Sequence, residues 1–311
     1  MDSLDTPPQG RSFWFWLSLA GGLFVACAAV LWTLAWFTMG STGHALAGFG
    51  SGRIAVVDLK GVILSADKVD EQLEQFANDD SVKAIILHID SPGGGAAASQ
   101  EIYHEVLRIR GKHKKRIVAS IESVGASGAY YVASATDRIY ANQASIVGSV
   151  GVIMEWVNYG DLLKWAKLKN VTLKAGALKD AGSPTREMTP EERAYFQGLI
   201  DNMHSQFIQD VAAGRRLPVA SIQNLATGQV WTGEQALPLH LIDQYGGFRV
   251  ALLETARAVG IHGEPEIVRP SEPHNGLLAS LLGANSRLGF PSPEELQSFL
   301  EKSPGFYFLW Q

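Results

Sequence analysis

The chain of 311 residues has a single cysteine, Cys27. That excludes an internal disulfide framework and any four-cysteine zinc site. It has no His-Glu-x-x-His zinc pattern and no phosphate-binding P-loop. It also lacks a strong charge excess, since 31 Asp+Glu against 26 Lys+Arg leave −5, and this argues against a nucleic-acid partner. The 32 glycines follow no three-residue period, and 46% of residues are hydrophobic, so neither collagen nor wholesale disorder fits. The largest absence is local. Residues 12–52 contain no Lys, Arg, Asp or Glu, which leaves 54 of the 57 charged residues in 53–311.

Within that gap, Phe13 to Met39 is a nearly continuous apolar run of 27 residues. As a helix it would reach about 40 Å, more than the ~30 Å hydrocarbon core of a bilayer. Trp14 and Trp16 sit near one end and Trp32 and Trp36 near the other, where indole rings favour the lipid–water boundary. Ala45-Leu46-Ala47 resembles a signal-peptidase site. A cleavable signal peptide, however, has an apolar core of about 7–15 residues behind a basic segment, and here only Arg11 precedes the run. The expectation is a retained, single-pass N-terminal transmembrane helix. Arg11 and the amino terminus precede it and Arg53 is the next basic residue, so the positive-inside bias places the N-terminus in the cytoplasm.

From Arg53 onward strands and helices alternate. Strands are predicted at Ile54–Leu59, Val82–Ile89, Arg116–Ile121 and Arg138–Tyr140, with extended chain over Ser145–Val157. Helices are predicted at Asp67–Asn78, Ala96–Arg110, Ala126–Ala135 and Asn158–Leu168. This pattern implies an α/β domain with largely buried strands. Thr189-Pro190-Glu191-Glu192 predicts a helix start with a capping box, running to about Ala213. Short helices at Pro218–Ala226 and Gly233–Leu237 flank a strand over Gly228–Thr232. The tail from Pro270 holds five of the 13 prolines and carries Phe306-Tyr-Phe-Leu-Trp310 near its end. It reads as an irregular arm that packs on a partner, the membrane or a groove.

Two glycine-rich turns could carry chemistry. Asp90-Ser-Pro-Gly-Gly-Gly95 joins a strand to a helix, and consecutive glycines let backbone N–H groups converge on an anion. A plain turn, an oxyanion or substrate-backbone clamp, and a nucleotide loop are all compatible with it; the last lacks the acidic residue that a ribose contact requires. Gly125-Ala-Ser127-Gly-Ala129 nearly matches the Gly-x-Ser-x-Gly nucleophile elbow. A serine nucleophile needs a base. Among eight histidines none has a persuasive setting: His204 lies on a helix, and His240 beside a turn. Lys179, in Leu173-Lys-Ala-Gly-Ala-Leu-Lys179-Asp180, is the other candidate. A lysine serves as base only where desolvation or neighbouring donors favour its neutral form.

Taken in order, Ser91-Pro92-Gly93-Gly94, Gly125-Ala-Ser127-Gly, Ser145-Ile-Val-Gly-Ser149-Val-Gly-Val152 and Lys179-Asp180-Ala-Gly-Ser-Pro184-Thr-Arg186 resemble the signal peptide peptidase A (protease IV) family of Ser/Lys peptidases, in its short, single-catalytic-domain form. The resemblance spans roughly residues 53–260. It implies Ser127 as nucleophile, Lys179 as general base, the Gly94 N–H in the oxyanion hole and the Ser149 hydroxyl positioning the lysine. It implies a Clp/crotonase-like spiral of ββα units, assembled into homo-oligomeric rings in which neighbouring subunits complete the sites, with Ser127 and Lys179 both carried by one polypeptide. The substrates implied are cleaved signal peptides and similar apolar segments, with no cofactor, metal or nucleic acid. The expected organisation is a cytoplasmic N-terminus over 1–12, an anchor over 13–39, a linker over 40–52, a peptidase domain over 53–269 and a C-terminal arm over 270–311. The catalytic domain then faces the periplasm or cell exterior from the cytoplasmic membrane. A Ser-His-Asp hydrolase, an inactive membrane scaffold and a crotonase-type acyl-CoA enzyme are the competing readings.

Arg108, Arg110, Lys112, Lys114, Lys115 and Arg116 crowd one connection. A solvated loop is the expected reading of this cluster, with contact with anionic lipid or nucleic acid as the alternative; a domain outside the cytoplasm makes nucleic acid remote.

Overall fold

The computed structural model describes residues 52–270 and the strand 306–309, together with Ala29, Val30 and Thr33. The chain divides into two units, Met1–Gly50 and Ser51–Gln311. The expected anchor over 13–39 lies outside the described residues except at those three helical positions. Among the described residues no helix is long and apolar enough to cross a membrane.

The second unit is a mixed α/β domain built on a largely parallel sheet. In chain order it contains β1 (Arg53–Lys60), α1 (Asp67–Ala77), β2 (Val82–Ser91), β3 (Gly93–Gly95), α2 (Ala96–Lys112) and β4 (Arg116–Ala126). Next come α3 (Gly128–Ser134), β5 (Arg138–Ala141), β6 (Ile146–Gly148), β7 (Ile153–Met154) and α4 (Gly160–Trp165). The domain continues with α5 (Pro190–Arg215), α6 (Val219–Leu225), β8 (Val230–Thr232), α7 (Gly233–Ala236), β9 (Gln244–Tyr245), α8 (Phe248–Ala258) and β10 (Glu266–Val268). The last element is β11 (Phe306–Leu309).

The main sheet runs β10-β1-β2-β4-β5-β9, and every neighbouring pair along it is parallel. β4 serves two partners in succession. Val118–Ile121 pair with β5, and Val124–Ala126 pair with β6, which pairs antiparallel with β8. The strands read as continuous apolar runs because both faces are covered. Ala55, Val57, Ile85 and Leu87 belong to the core under α1, α2 and α3, whereas Ile54, Val56, Ile86 and Val118 pack with Ala251, Leu252 and Ala256 of α8. This period-two division follows from successive strand side chains pointing to opposite faces.

The predicted helices and strands up to Leu237 are present with shifted ends. The Thr189 capping box forms as expected, with the Glu192 N–H donating to Thr189 Oγ1 at 3.2 Å and the Thr189 N–H to Glu192 Oε2 at 2.9 Å. The extended segment over Ser145–Val157 is broken into β6 and β7 where Ser149 turns left-handed (φ 56°), although its N–H still reaches Gln229 O, next in register with β8. β4 runs five residues past its expected end, because Val124, Gly125 and Ala126 find a partner in β6. The arm from Pro270 is not wholly irregular, since β11 pairs antiparallel with β3 and with β7 to form a second, three-stranded sheet. The basic cluster divides: Lys112 and Lys114 are exposed to solvent, whereas Arg108 pairs with Glu105. Arg110 pairs with Asp137 and the Ala135 carbonyl, and Lys115 donates to the carbonyls of Phe76, Asp79 and Val82.

Candidate active site

The glycine-rich motifs meet because the strands that carry them are neighbours. β2 ends at Ser91, which stands opposite Gly125 of β4, and Ala126 stands opposite Gly148 of β6. Three chain exits therefore gather at the C-terminal ends of adjacent parallel strands, where ligand sites of open α/β sheets form.

Ser127 follows β4 directly and precedes α3. Its backbone is strained, with φ 52° and ψ −119°, a conformation that costs of order 1–3 kcal/mol and persists only when its surroundings enforce it. The enforcing contacts are local: its N–H donates to Gly148 O at 2.7 Å, and its carbonyl accepts from Tyr131 N at 2.8 Å. α3 is buried throughout, and Tyr130 anchors it from below by donating to Leu241 O at 2.8 Å. Burial also raises the Tyr130 phenol pKa, so the hydroxyl stays a donor. The Ser127 side chain is only 1% exposed, and its Oγ has no hydrogen-bond partner among the described residues. A buried hydroxyl without a partner is uncommon and calls for a functional account.

Gly94 lies in β3, which packs beside α3. Ile63 N donates to Gly93 O at 2.9 Å and Gly95 N to Ile63 O at 2.7 Å. Strand alternation then turns the N–H of Gly94 to the opposite side, away from Ile63. A side chain is impossible at this position, because a Cβ would lie 2.1 Å from Ile63 O. Ser149 is 5% exposed. It follows Gly148 (φ 92°), where a Cβ would meet Trp231 Cδ1 at 2.8 Å. Ser149 opens onto a cavity of about 670 Å³, which is also lined by Ile153, Asp201, His204 and Thr227.

Lys179 is placed differently. It sits in a strap over residues 155–189 that is closed at its base by Tyr159 N to Pro184 O at 2.7 Å and Asn158 Nδ2 to Arg186 O at 3.0 Å. Lys179 is exposed. Because the Ser127 hydroxyl has no partner, the two proposed dyad members are not hydrogen-bonded within one chain. Among the described residues no histidine is hydrogen-bonded to Ser127 either: His204 faces the cavity, and His240 occupies a left-handed turn.

Sequence reasoning did not find the clamp that holds the Lys179 loop. Arg186 donates to Asp180 Oδ2 at 3.3 Å, to the Asp180 carbonyl at 3.1 Å and to Glu192 Oε2 at 2.9 Å. Lys174 adds a second cation on Asp180 and donates to Ala177 O at 2.8 Å. Arg186, together with the Thr189 N–H, holds the Glu192 carboxyl down to about 2, and hydrogen bonds from Lys174 and Arg186 lower that of Asp180. The capping glutamate of α5 thus also fixes the strap. Opposite charges six residues apart were the signal available in the sequence.

The protein of Synechocystis sp. named "Putative protease slr0021" is 35% identical over 237 residues, 76% of this chain and 85% of that protein. The sequence profile of peptidase family S49 matches residues 110–262. The chain belongs to peptidase family S49. It is a serine peptidase, and the matched span includes Ser127, Ser149 and Lys179. Other similar proteins are "Putative signal peptide peptidase SppA" of Enterococcus faecium, 35% identical over 56% of this chain and 51% of that one, and "Protease 4" of Haemophilus influenzae, 30% identical over 67% of this chain and 35% of that one. Among the described residues no group of His, Cys, Asp and Glu could hold a metal ion.

Proposed function

We propose that this S49 peptidase is a Ser/Lys-dyad endopeptidase, tethered to the cytoplasmic membrane by residues 13–39, that degrades cleaved signal peptides and similar apolar peptides. Ser127 is the nucleophile, Lys179 the general base, the Gly94 N–H an oxyanion donor and Ser149 the residue that positions the lysine. The observation that carries this reading is the strained turn that holds a buried, unpartnered Ser127 hydroxyl beside the glycine strand. The fold reading that goes with it is the Clp/crotonase-like spiral, supported by the way β4 pairs with β5 and then with β6.

In this mechanism the neutral lysine amine accepts the serine proton as the oxygen attacks the peptide carbonyl carbon. The N–H of Gly94 stabilises the tetrahedral oxyanion. Lysine then protonates the leaving amine, the C–N bond breaks, and water hydrolyses the acyl-enzyme. Each step needs Lys179 at Ser127, and a second copy of the chain supplies the approach. The strap exposes Val157, Trp165, Val171 and Leu173, with Leu173 95% exposed. An apolar surface of this kind marks a contact site. A neighbour packed on it would exclude water from the lysine, as base catalysis requires. The membrane anchor and the outward placement of the catalytic domain rest on the uncharged run and the positive-inside bias.

The test is hydrolysis of a fluorogenic apolar peptide by wild type and Lys179→Ala across pH 6–10. The variant should lose nearly all activity at every pH. Activity equal to wild type would remove lysine from the mechanism and return a histidine base to consideration.

A further inference from the structure

Four neighbouring strands of the main sheet carry a cation where they begin. Arg53 opens β1, Lys83 is the second residue of β2, Arg116 opens β4 and Arg138 opens β5. The strands are parallel and their starts lie side by side, with Arg53 opposite Val82, Ala84 opposite Arg116 and Val118 opposite Arg138. These cations therefore share one end of the sheet. The last turn of α2 and its connection into β4 add Lys112 and Lys114, both exposed. Toward the other end the same strands turn acidic: β1, β2 and β4 carry Asp58, Asp90 and Glu122 there, and Lys60 is paired with Asp58 at 3.6 Å. Residues 53–311 hold 25 Lys+Arg against 29 Asp+Glu, so the basic end reflects a sorting of charge and not a general excess.

Part of this positive charge belongs to the fold. Arg53 pairs with Asp79, and Arg110 with Asp137, which also neutralises the two aspartates at this end. The remaining cations are uncommitted. Lys83 donates to a neutral group, the Asp80 carbonyl, at 2.9 Å. Arg138 lies over the Tyr140 ring, 5.7 Å from its centre, and Arg116 Nε has no hydrogen-bond partner among the described residues.

From this arrangement we infer that the end of the sheet at which its parallel strands begin is a contact surface for an anionic lipid bilayer, with Lys83, Lys112, Lys114, Arg116 and Arg138 as its cations. The inference rests on the membrane-tethered reading given above and adds to it which way the domain faces. The chain enters the domain at Arg53, on this same end. Thirteen residues (40–52) lead there from the proposed anchor, a span of about 45 Å at most. Acidic headgroups attract clustered Lys and Arg within a Debye length, about 8 Å at physiological salt. The acidic far end is repelled by the same surface, so contact selects one orientation. β2 has 10 residues, so at about 3.3 Å each the sheet stands roughly 30 Å tall. Ser127, at the far ends of these strands, is then held about that distance from the headgroups. A peptide has to leave the bilayer to reach it, which favours released peptides over segments still embedded.

The experiment uses full-length enzyme with Cys27 replaced by Ser, reconstituted in lipid nanodiscs. A fluorophore is attached through Gly111→Cys, at the basic end, where a side chain meets nothing within 4 Å. In a second preparation it is attached through Lys68→Cys, exposed in α1 at the far end. Quenching by lipids with a nitroxide on the headgroup is compared in phosphatidylcholine discs and in discs with about 30% phosphatidylglycerol. The expected result is stronger quenching at position 111 than at position 68 in the anionic discs alone, abolished by about 0.5 M salt. Replacing Lys83, Lys112 and Lys114 together by Gln should weaken the contact about a hundredfold, at about fivefold per residue, and remove the extra quenching while hydrolysis of a soluble peptide is unchanged. Equal quenching at the two positions, or quenching at position 111 that is the same in both kinds of disc, overturns the inference. Retention on neutral discs separates the two readings. If the enzyme is held by phosphatidylcholine discs but shows no lipid-dependent quenching, the tether stands and the contact surface falls. If it is not held, the tether falls, and sedimentation with phosphatidylglycerol vesicles decides the surface: wild type sedimenting without the triple variant supports it, and neither or both sedimenting overturns it.

Discussion

Gly94→Ala would test the oxyanion assignment with the least chemical change. The added Cβ would stand 2.1 Å from Ile63 O, 2.5 Å from Ile63 N and 2.7 Å from Ile63 C. These atoms are backbone, held by hydrogen bonds of 2.7 and 2.9 Å to Gly95 and Gly93, so no side chain can rotate to make room. An ordinary contact of about 3.4 Å then requires β3 and the segment at Ile63 to separate by about 1.3 Å. Misplacement of a catalytic group by about 1 Å can cost about a hundredfold in rate, and outright loss of an oxyanion donor costs about 3–4 kcal/mol. The expected outcome is a fall in kcat of about 10²–10³, with a stability loss of about 1–3 kcal/mol from overpacking. Thermal unfolding confirms that the variant is folded, and steady-state kinetics on the apolar peptide reads the rate. A folded Gly94→Ala protein with wild-type kcat would refute the assignment, because the clash guarantees that the N–H has moved.

Two other predictions concern the base and its loop. If the dyad is completed between copies, co-assembly of inactive Ser127→Ala and Lys179→Ala chains in equal amounts should restore activity in about a quarter of the sites, by random pairing of neighbours. Mixtures that stay inactive, although native mass spectrometry shows mixed assemblies, would place the dyad within one chain. The Glu192 carboxyl is held at about 2 in the folded protein against an ordinary 4.5. Its pairing with Arg186 therefore stabilises the fold above about pH 4.5, and that contribution is lost as pH falls toward 2. Urea unfolding of wild type and Glu192→Gln should accordingly differ most near neutrality and converge between those pH values. Curves that stay parallel over this interval would show that the pair does not contribute.

Much of the domain was readable because it is encoded locally. The apolar runs of β1, β2 and β4 announce buried strands, and the Thr189-Pro-Glu-Glu192 cap forms from four consecutive residues. α8 escaped notice although its apolar residues sit on one face, and β10 because three residues carry no period. The Arg186 clamp was missed because opposite charges at that spacing are commonplace until a fold brings them together.

By itself, then, the sequence determined the alternation of strands and helices, the uncharged N-terminal run and the glycine-flanked Ser127, since periodicity, charge and turn chemistry are properties of neighbouring residues. Only the tertiary structure decided that Ser91, Gly125 and Gly148 meet at adjacent strand ends and that Lys179 stays exposed on a strap without reaching Ser127. Only the tertiary structure, likewise, set four C-terminal residues in the slot beside Gly94. These are pairings between residues far apart in the chain, and the choice of partner for a short strand or a loop depends on which edges and surfaces the rest of the fold leaves open.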